Sequence, residues 1–215
     1  MKKILLVVGL AFAVMTASAQ LYVGGALGFE SYGATKDKDG NKWGDSFSQF
    51  GILPEVGYSL SDKFDVGITL GFTSETETHW FDNKKTGSDK YNVISVSPYV
   101  RYTFCEFGKF SLLGKAAVGI DLGSGKELDD KGKEVDHSSY GSTGLEFAIT
   151  PVVLYSLSDR VCLYTNLNFA GLKFNSTSFK SDGEKTRSTS YFGIGANTNS
   201  AFNLGDIEVG FVISF

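Results

Sequence analysis

The last nine residues of the chain, Ile207 to Phe215, carry a large apolar residue at every second position and end on an aromatic. A period of two sends Ile207, Val209, Phe211, Ile213 and Phe215 to one side and Glu208, Gly210 and Ser214 to the other, with Val212 the one apolar residue on the polar side. A strand with one face in an apolar environment reads this way.

The opposite end reads as an export signal. Lys2 and Lys3 form a basic segment, Ile4 to Val14 an apolar one, and Ala17-Ser18-Ala19 a small-residue cleavage site before Gln20. Residues 1 to 19 are therefore set apart from the fold, and 20 to 215 suit a single domain. The apolar stretch is too short to span a bilayer comfortably, and no later segment approaches the roughly 20 apolar residues that a spanning helix requires. The chain carries 20 basic and 24 acidic residues, and removal of the leader makes the balance more acidic still. That excludes nucleic acid as a partner. With 26 glycines, 14% aromatic residues and only three prolines, the composition fits an all-β chain.

Alternating runs predict strands over 21 to 31, 48 to 60, 64 to 74, 91 to 104, 109 to 123, 140 to 157 and 161 to 174, and a last one ending at Phe215. Their joints alternate. Ser61-Asp62-Lys63, Cys105 to Gly108 and Ser158-Asp159-Arg160 are tight, whereas 32 to 47, 75 to 90, 124 to 139 and 175 to 190 are long and charged. Short turns at one end and long loops at the other are the pattern of an outer-membrane barrel, with the short turns periplasmic. Eight strands put both termini on the periplasmic side. Tyr191 to Asp206 leaves two readings, the upper part of the eighth strand before a bulge or a further strand in a ten-stranded variant.

An internal repeat supports the register. Each proline stands four residues before a tyrosine that leads into a short turn: Pro54 and Tyr58, Pro98 and Tyr102, Pro151 and Tyr155. Tyr58 to Lys63 is nearly repeated as Tyr155 to Arg160. Period-two counting puts each Pro and its Tyr on the apolar side, where the tyrosines would belong to an interfacial girdle. Proline removes a ladder hydrogen bond, so a bulge at a common height is expected.

A soluble β-sandwich would show the same alternation. Charge placement argues against it. The count that sends Ile94, Val96, Val100 and Phe104 outwards sends Arg101 inwards, and likewise Lys115, Glu55, Glu146 and Glu208. A cation facing lipid near mid-membrane costs about 2–4 kcal/mol, and none of these falls on the apolar side.

Through Tyr22 to Phe29, the closing Gly210 to Phe215 and the Ala19-Gln20 junction, the chain resembles the small eight-stranded barrels of the OmpX and OmpA-barrel kind. It is most similar to the outer-membrane β-barrel domain proteins of Bacteroidota. The resemblance implies an all-β, eight-stranded antiparallel up-and-down transmembrane barrel in the outer membrane. It implies outer-membrane lipid and lipopolysaccharide as surroundings, and it gives Phe211 and Phe215 the role of a signal read by the barrel-assembly machinery.

Function then has to reside in the lumen and the loops. Glu55, Arg101, Lys115, Glu146 and Glu208 are the luminal charges, expected to pair in an interior just wide enough for side chains to fill. A plugged polar interior is the leading reading, and a switchable gate passing small solutes is the alternative. Asp39-Gly40, Lys131-Gly132 and Asp182-Gly183 mark loop tips, so strands are expected to run on beyond the membrane. There Trp43, Trp80, Phe81 and Tyr140 offer contact area to an extracellular protein or glycan, or anchor at the interface.

Asp37 to Asn41 superficially matches a calcium loop, but its glycine is misplaced and no glutamate closes it, so a turn is expected. No cofactor is implied. The histidines, His79 and His137, fall in predicted loops. His137-Ser138 with Glu134 and Asp136 offers the parts of a lipid-directed hydrolase or acyltransferase, but nothing in the spacing requires one, and an enzyme is not expected. Cys105, in the second short turn, and Cys162, at the start of the seventh strand, adjoin strands that are not neighbours and are expected to be free thiols unless the turn folds across the barrel mouth.

Overall fold

The computed structural model describes residues 20–136, 138–168, 170–181, 184–196 and 207–215. The predicted leader, His137, the Asp182-Gly183 tip and the stretch from Asn197 to Asp206 lie outside the described residues. The strands are β1 (Gln20–Tyr32), β2 (Thr35–Lys36), β3 (Lys42–Ser61), β4 (Phe64–Phe81), β5 (Lys84–Phe107), β6 (Phe110–Leu128), β7 (Tyr140–Ser156), β8 (Val161–Leu167), β9 (Ala170–Ser181), β10 (Glu184–Ala196) and β11 (Ile207–Ser214).

They form one antiparallel sheet that closes on itself. From β3 to β7 each strand pairs with the next, β8 continues from β7, and β11 joins β8 to β1, which returns to β3. The closing seam runs from Tyr22 opposite Ser214 to Leu27 opposite Val209. β8 and β9 together occupy the seventh place in the ring, since both pair with β7. β10 and β11 occupy the eighth, pairing with β9 and β8 respectively. The ring thus has eight places, and Tyr191 to Ala196 belongs to the upper eighth strand rather than to a ten-stranded ring.

Alternation sorts the side chains. Leu70, Phe72, Ile94, Val96, Val118, Ile120, Val209 and Phe211 are exposed on the outside, while Glu55, Thr69, Arg101, Thr150 and Asn166 are buried. On β4 the outward apolar positions run from Phe64 to Phe72, close to the 9 to 11 tilted residues that span a bilayer. Val212 is no intruder. It packs with Tyr22, Ala26, Leu113, Val152 and Tyr164 in an apolar cluster inside the ring.

The strands run on beyond the membrane as the turn signals imply, and further than the predicted strand ends: 75 to 90 and 175 to 190 are mostly strand, β3 begins at Lys42 and β6 runs on to Leu128, so the sheet extends well past its apolar girdle. Two placements change. The tip of the β4–β5 hairpin is Asp82-Asn83, with φ of 49° and 62°, a pair of left-handed positions of the kind that Asp and Asn tolerate in tight hairpin turns. His79 accordingly lies in β4, not in a loop. The second short turn is Gly108-Lys109, which leaves Cys105 inside β5 beside a bulge at Phe104. Both cysteines are free, on strands that do not pair.

The prolines do not share a bulge. Pro54 pairs with Gly25, Pro98 with Ile68 and Pro151 with Gly114. On its other flank each meets a lapse: the β3–β4 ladder skips from Ile52 to Glu55 and the β5–β6 ladder from Val96 to Tyr99, each resuming in unchanged register. A missing N–H costs a rung without displacing the strand. Only beside Pro151 does the register move, with Val152 opposite Asn166 but Ile149 opposite Leu172.

Leu70→Lys, on the lipid side of β4, should lower the free energy of unfolding in lipid vesicles by about 2–4 kcal/mol, measured from urea midpoints. An unchanged midpoint would mean that this face does not meet hydrocarbon.

Candidate functional site

Within the ring, three tyrosines lie against glycines of the adjoining strand. Tyr22 is opposite Gly57, Tyr99 opposite Gly67 and Tyr164 opposite Gly210. A Cβ at Gly57 would collide with the Tyr22 ring, one at Gly67 with the Tyr99 ring and one at Gly210 with the Tyr164 ring. Each glycine therefore supplies the space into which an aromatic lies down across the lumen. The Tyr22 and Tyr99 hydroxyls meet at 3.0 Å.

Arg101 and Glu55 complete this layer. Arg101 Nη2 donates to Glu55 Oε2 at 2.7 Å and to Oε1 at 3.0 Å, and the two side chains are 2% and 0% exposed. The guanidinium also lies 4.6 Å from the Tyr99 ring centre and 5.1 Å from that of Tyr164, a placement that stabilises a cation held away from water. Sequence counting found the charges but not the tyrosines, although Tyr99 and Arg101 share one face of β5. The missing signal was the glycine opposite each ring, which only the register reveals.

The other luminal charges do not close into the expected network. Glu208 accepts from Asn166 Nδ2 at 2.9 Å, and Lys115 Nζ sits 4.7 Å from the Tyr99 ring on its own. Neither Lys115 nor Glu146 forms an ion pair among the described residues. A cavity of about 320 Å³ lined by Arg101, Asp65, Glu106 and Cys162 lies towards the short turns. Another of about 350 Å³, lined by Lys115, Glu146, Lys173 and Glu208, lies towards the long hairpins. Tyr99, Tyr164 and Glu55 belong to the wall of neither and lie between them.

At the long-hairpin end the sheet is cross-braced. His79 Nδ1 is 2.7 Å from Asp45 Oδ1 and Nε2 is 3.3 Å from Asp89 Oδ2, tying β3, β4 and β5 together. The hydrogen bond to Asp45 chiefly raises the His79 pKa above its ordinary value, with that to Asp89 adding to it. With both ring nitrogens committed to carboxylates, His79 has no free nitrogen to act as a base.

The tips repeat one device. Asp37 Oδ1 accepts from the backbone of Asp39 and Asn41, and Asp129 Oδ1 from that of Lys131 and Lys133. Gly40 and Gly132 follow three residues after each Asp, with φ of 85° and 81°. Asp37 is thus a turn organiser, its carboxyl held below the usual range chiefly by the Asn41 backbone N–H, and Trp43 Nε1 donates to it as well. Ser138 Oγ donates to the Val135 carbonyl at 2.8 Å, and Glu134 accepts from Lys126 and Ser139. These are loop fastenings.

The four aromatic candidates are placed differently. Trp43 meets Phe81 edge-on at 4.6 Å. Trp80 donates to Ser46 Oγ and carries Lys42 over its ring. Tyr140 instead turns inwards, stacked on Tyr91 and covering Gly125. Phe211 and Phe215 are exposed on the outside of the last strand, and the Phe215 amide donates to the Leu21 carbonyl at 2.9 Å.

A closed eight-place ring with an apolar girdle and a polar, aromatic-filled interior defines a small transmembrane β-barrel. The model of the outer membrane protein beta-barrel domain matches residues 4–157, and the chain belongs to that family of the outer membrane. Among solved structures it is similar to neisserial surface protein A, with 12% identity, 93% of this chain and 100% of that one covered, and a TM-score of 0.46. A major outer membrane protein of Thermus thermophilus gives 13%, 93%, 100% and 0.47. The attachment invasion locus protein Ail of Yersinia pestis gives 12%, 91%, 93% and 0.33. No curated protein matches the chain.

Removing one partner of the buried pair strands the other charge. Glu55→Gln should destabilise the barrel by about 3–5 kcal/mol in urea unfolding, and adding Arg101→Met should recover most of that loss. Additive losses in the double variant would mean that the two residues act separately.

The His79 brace has a defined pH sign. A raised folded pKa means that its stabilisation is fully present below the unfolded histidine pKa and fades as pH rises through the folded one. Amide protection factors around Asp45, His79 and Asp89 should fall between mildly acidic and alkaline pH, and His79→Gln should abolish that dependence.

Proposed function

We propose that the protein is a closed barrel of the outer membrane whose long hairpins, on the extracellular side, make contact with a protein or glycan. The observation that carries this reading is the sheet itself, which continues past the lipid girdle and is stiffened there by the His79 brace, the Asp37 and Asp129 turns and the Trp43–Phe81 contact. A rigid, projecting sheet loses little conformational entropy on binding. Asn83 adds a link between tips, accepting from the Lys42 backbone at 2.9 Å and donating to Asn41 Oδ1 at 2.6 Å.

In this reading the short turns and both termini are periplasmic, and Phe211 and Phe215 serve the assembly machinery as the outward face of the closing strand. Lipopolysaccharide surrounds the outer girdle. The Tyr22, Tyr99, Tyr164, Arg101 and Glu55 layer supports a plugged interior. The second reading, passage of small solutes, draws on the cavities on either side of that layer. Lipid-directed catalysis gains nothing from Ser138, whose hydroxyl is spent on the loop.

Two measurements test the proposal. In planar bilayers the protein should show no steady conductance, and large stable channels would replace the plugged reading by the porin-like one. Cells displaying the protein should bind glycan or matrix-protein arrays above the background of cells without it, and Trp43→Ala with Phe81→Ala should reduce that signal at least fivefold. No signal above background would overturn the contact role.

A further inference from the structure

The cavity on the long-hairpin side of the tyrosine layer has a chemistry that a contact role does not use. Its volume of about 350 Å³ falls in the range of small-molecule sites. Its wall carries the ammonium groups of Lys115 and Lys173 and the carboxylates of Glu146 and Glu208, with hydroxyls from Ser95, Ser97, Thr69 and Thr150.

Two features show that the protein leaves this wall incomplete. Thr69 and Asn166 are 7% and 2% exposed, and Thr69 Oγ1 and Asn166 Oδ1 have no hydrogen-bond partner, an arrangement that buried polar atoms rarely keep. Lys115 and Glu146 face the same space without an ion pair to any described residue. Lys115 is half-buried with only the face of the Tyr99 ring against its ammonium, and the Glu146 carboxylate is exposed to the cavity, so each keeps the capacity to hold a group of opposite charge. One molecule bearing both signs compensates both at once.

We infer that this cavity binds a small zwitterionic solute of amino-acid or dipeptide size. The lining balances two cations against two anions, so a lone anion such as phosphate gains from the lysines only what it loses to the glutamates. It contains no aromatic side chain among the described residues on which a sugar ring could stack. The approach from the long-hairpin end favours a molecule with a positive group. The alternation that turns Thr69 inwards continues through Glu75 and Glu77 on β4, Asp89 and Glu127, paired across β5 and β6, face the same way, and these four carboxylates outnumber the inward cations His79 and Arg187. The inference stands apart from the contact role, since it uses only residues of the lumen.

The test uses the full mature barrel in lipid nanodiscs with methyl-labelled alanine, because Ala117 and Ala148 line the cavity. Alanine as the free amino acid, glycylglycine, inorganic phosphate and glucose are titrated separately. Saturable shifts at Ala117 and Ala148 are expected with at least one of the two zwitterions and at least tenfold weaker responses with phosphate and glucose. Lys115→Met and Glu146→Gln, each verified as folded by its heat-dependent gel shift, should weaken zwitterion binding at least tenfold. The inference is overturned by the wild-type protein alone if neither zwitterion gives saturable shifts, or if phosphate or glucose binds as well. Unchanged affinity in both folded variants overturns it too.

Discussion

A chain crossing hydrocarbon has to satisfy every backbone N–H and C=O internally, and for strands the only solution is a sheet with no edge at membrane depth. Everything in this protein follows from that closure. The first and last strands meet over Tyr22 to Leu27, and the Phe215 amide reaches the Leu21 carbonyl, so the two ends of the sequence complete one ladder. The prolines show how strict the demand is. Each gives up a rung on one flank only and keeps its partner on the other, and two of the three leave the register intact.

Closure at eight places leaves an interior only as wide as the side chains that fill it. The lumen solves its packing with unequal partners, a tyrosine lying where the next strand has a glycine. Those rings bring π-faces to Arg101 and place a low-dielectric surround around its bond to Glu55, where the pair interacts more strongly than it would in water. The same surround makes an unpartnered charge expensive, and so the contrast between Arg101, ion-paired with Glu55 through Nη2 although its Nε has no partner, and Lys115, left beside a cavity, has chemical meaning.

Much of this was legible in the chain. Period-two alternation located the strand cores and divided lipid from lumen because both environments act on the same segment with opposite demands. It lost its grip where one demand vanished. Beyond the girdle, as along Glu75 to His79 or Asn175 to Ser178, both faces are polar, and strand looked like loop. The tyrosine layer stayed hidden for another reason. Tyr58, Tyr102 and Tyr155 carry the same side chain as Tyr22, Tyr99 and Tyr164 but point outwards, and the space that lets the inward three lie across the lumen is a glycine on the next strand, a non-local fact. Val212 looked misplaced for want of the same information, since Leu113 and Val152 reach it from other strands.

The segregation that serves the membrane persists above it in altered form. On the outer face, the positions that are apolar at Ile94 and Leu122 become Lys90 and Lys126, directly opposite each other, while the inward positions beside them become Asp89 and Glu127. Two ammonium groups side by side on a ladder repel. Glu134, brought back over the wall by the Asp129 turn, accepts from Lys126 at 2.9 Å and from Ser139 at 2.7 Å, so a loop residue quiets a strain that the strand pairing creates. The β6–β7 loop is therefore part of the wall's electrostatics as well as a connection, and its conformation is tied to the register of the strands beneath it.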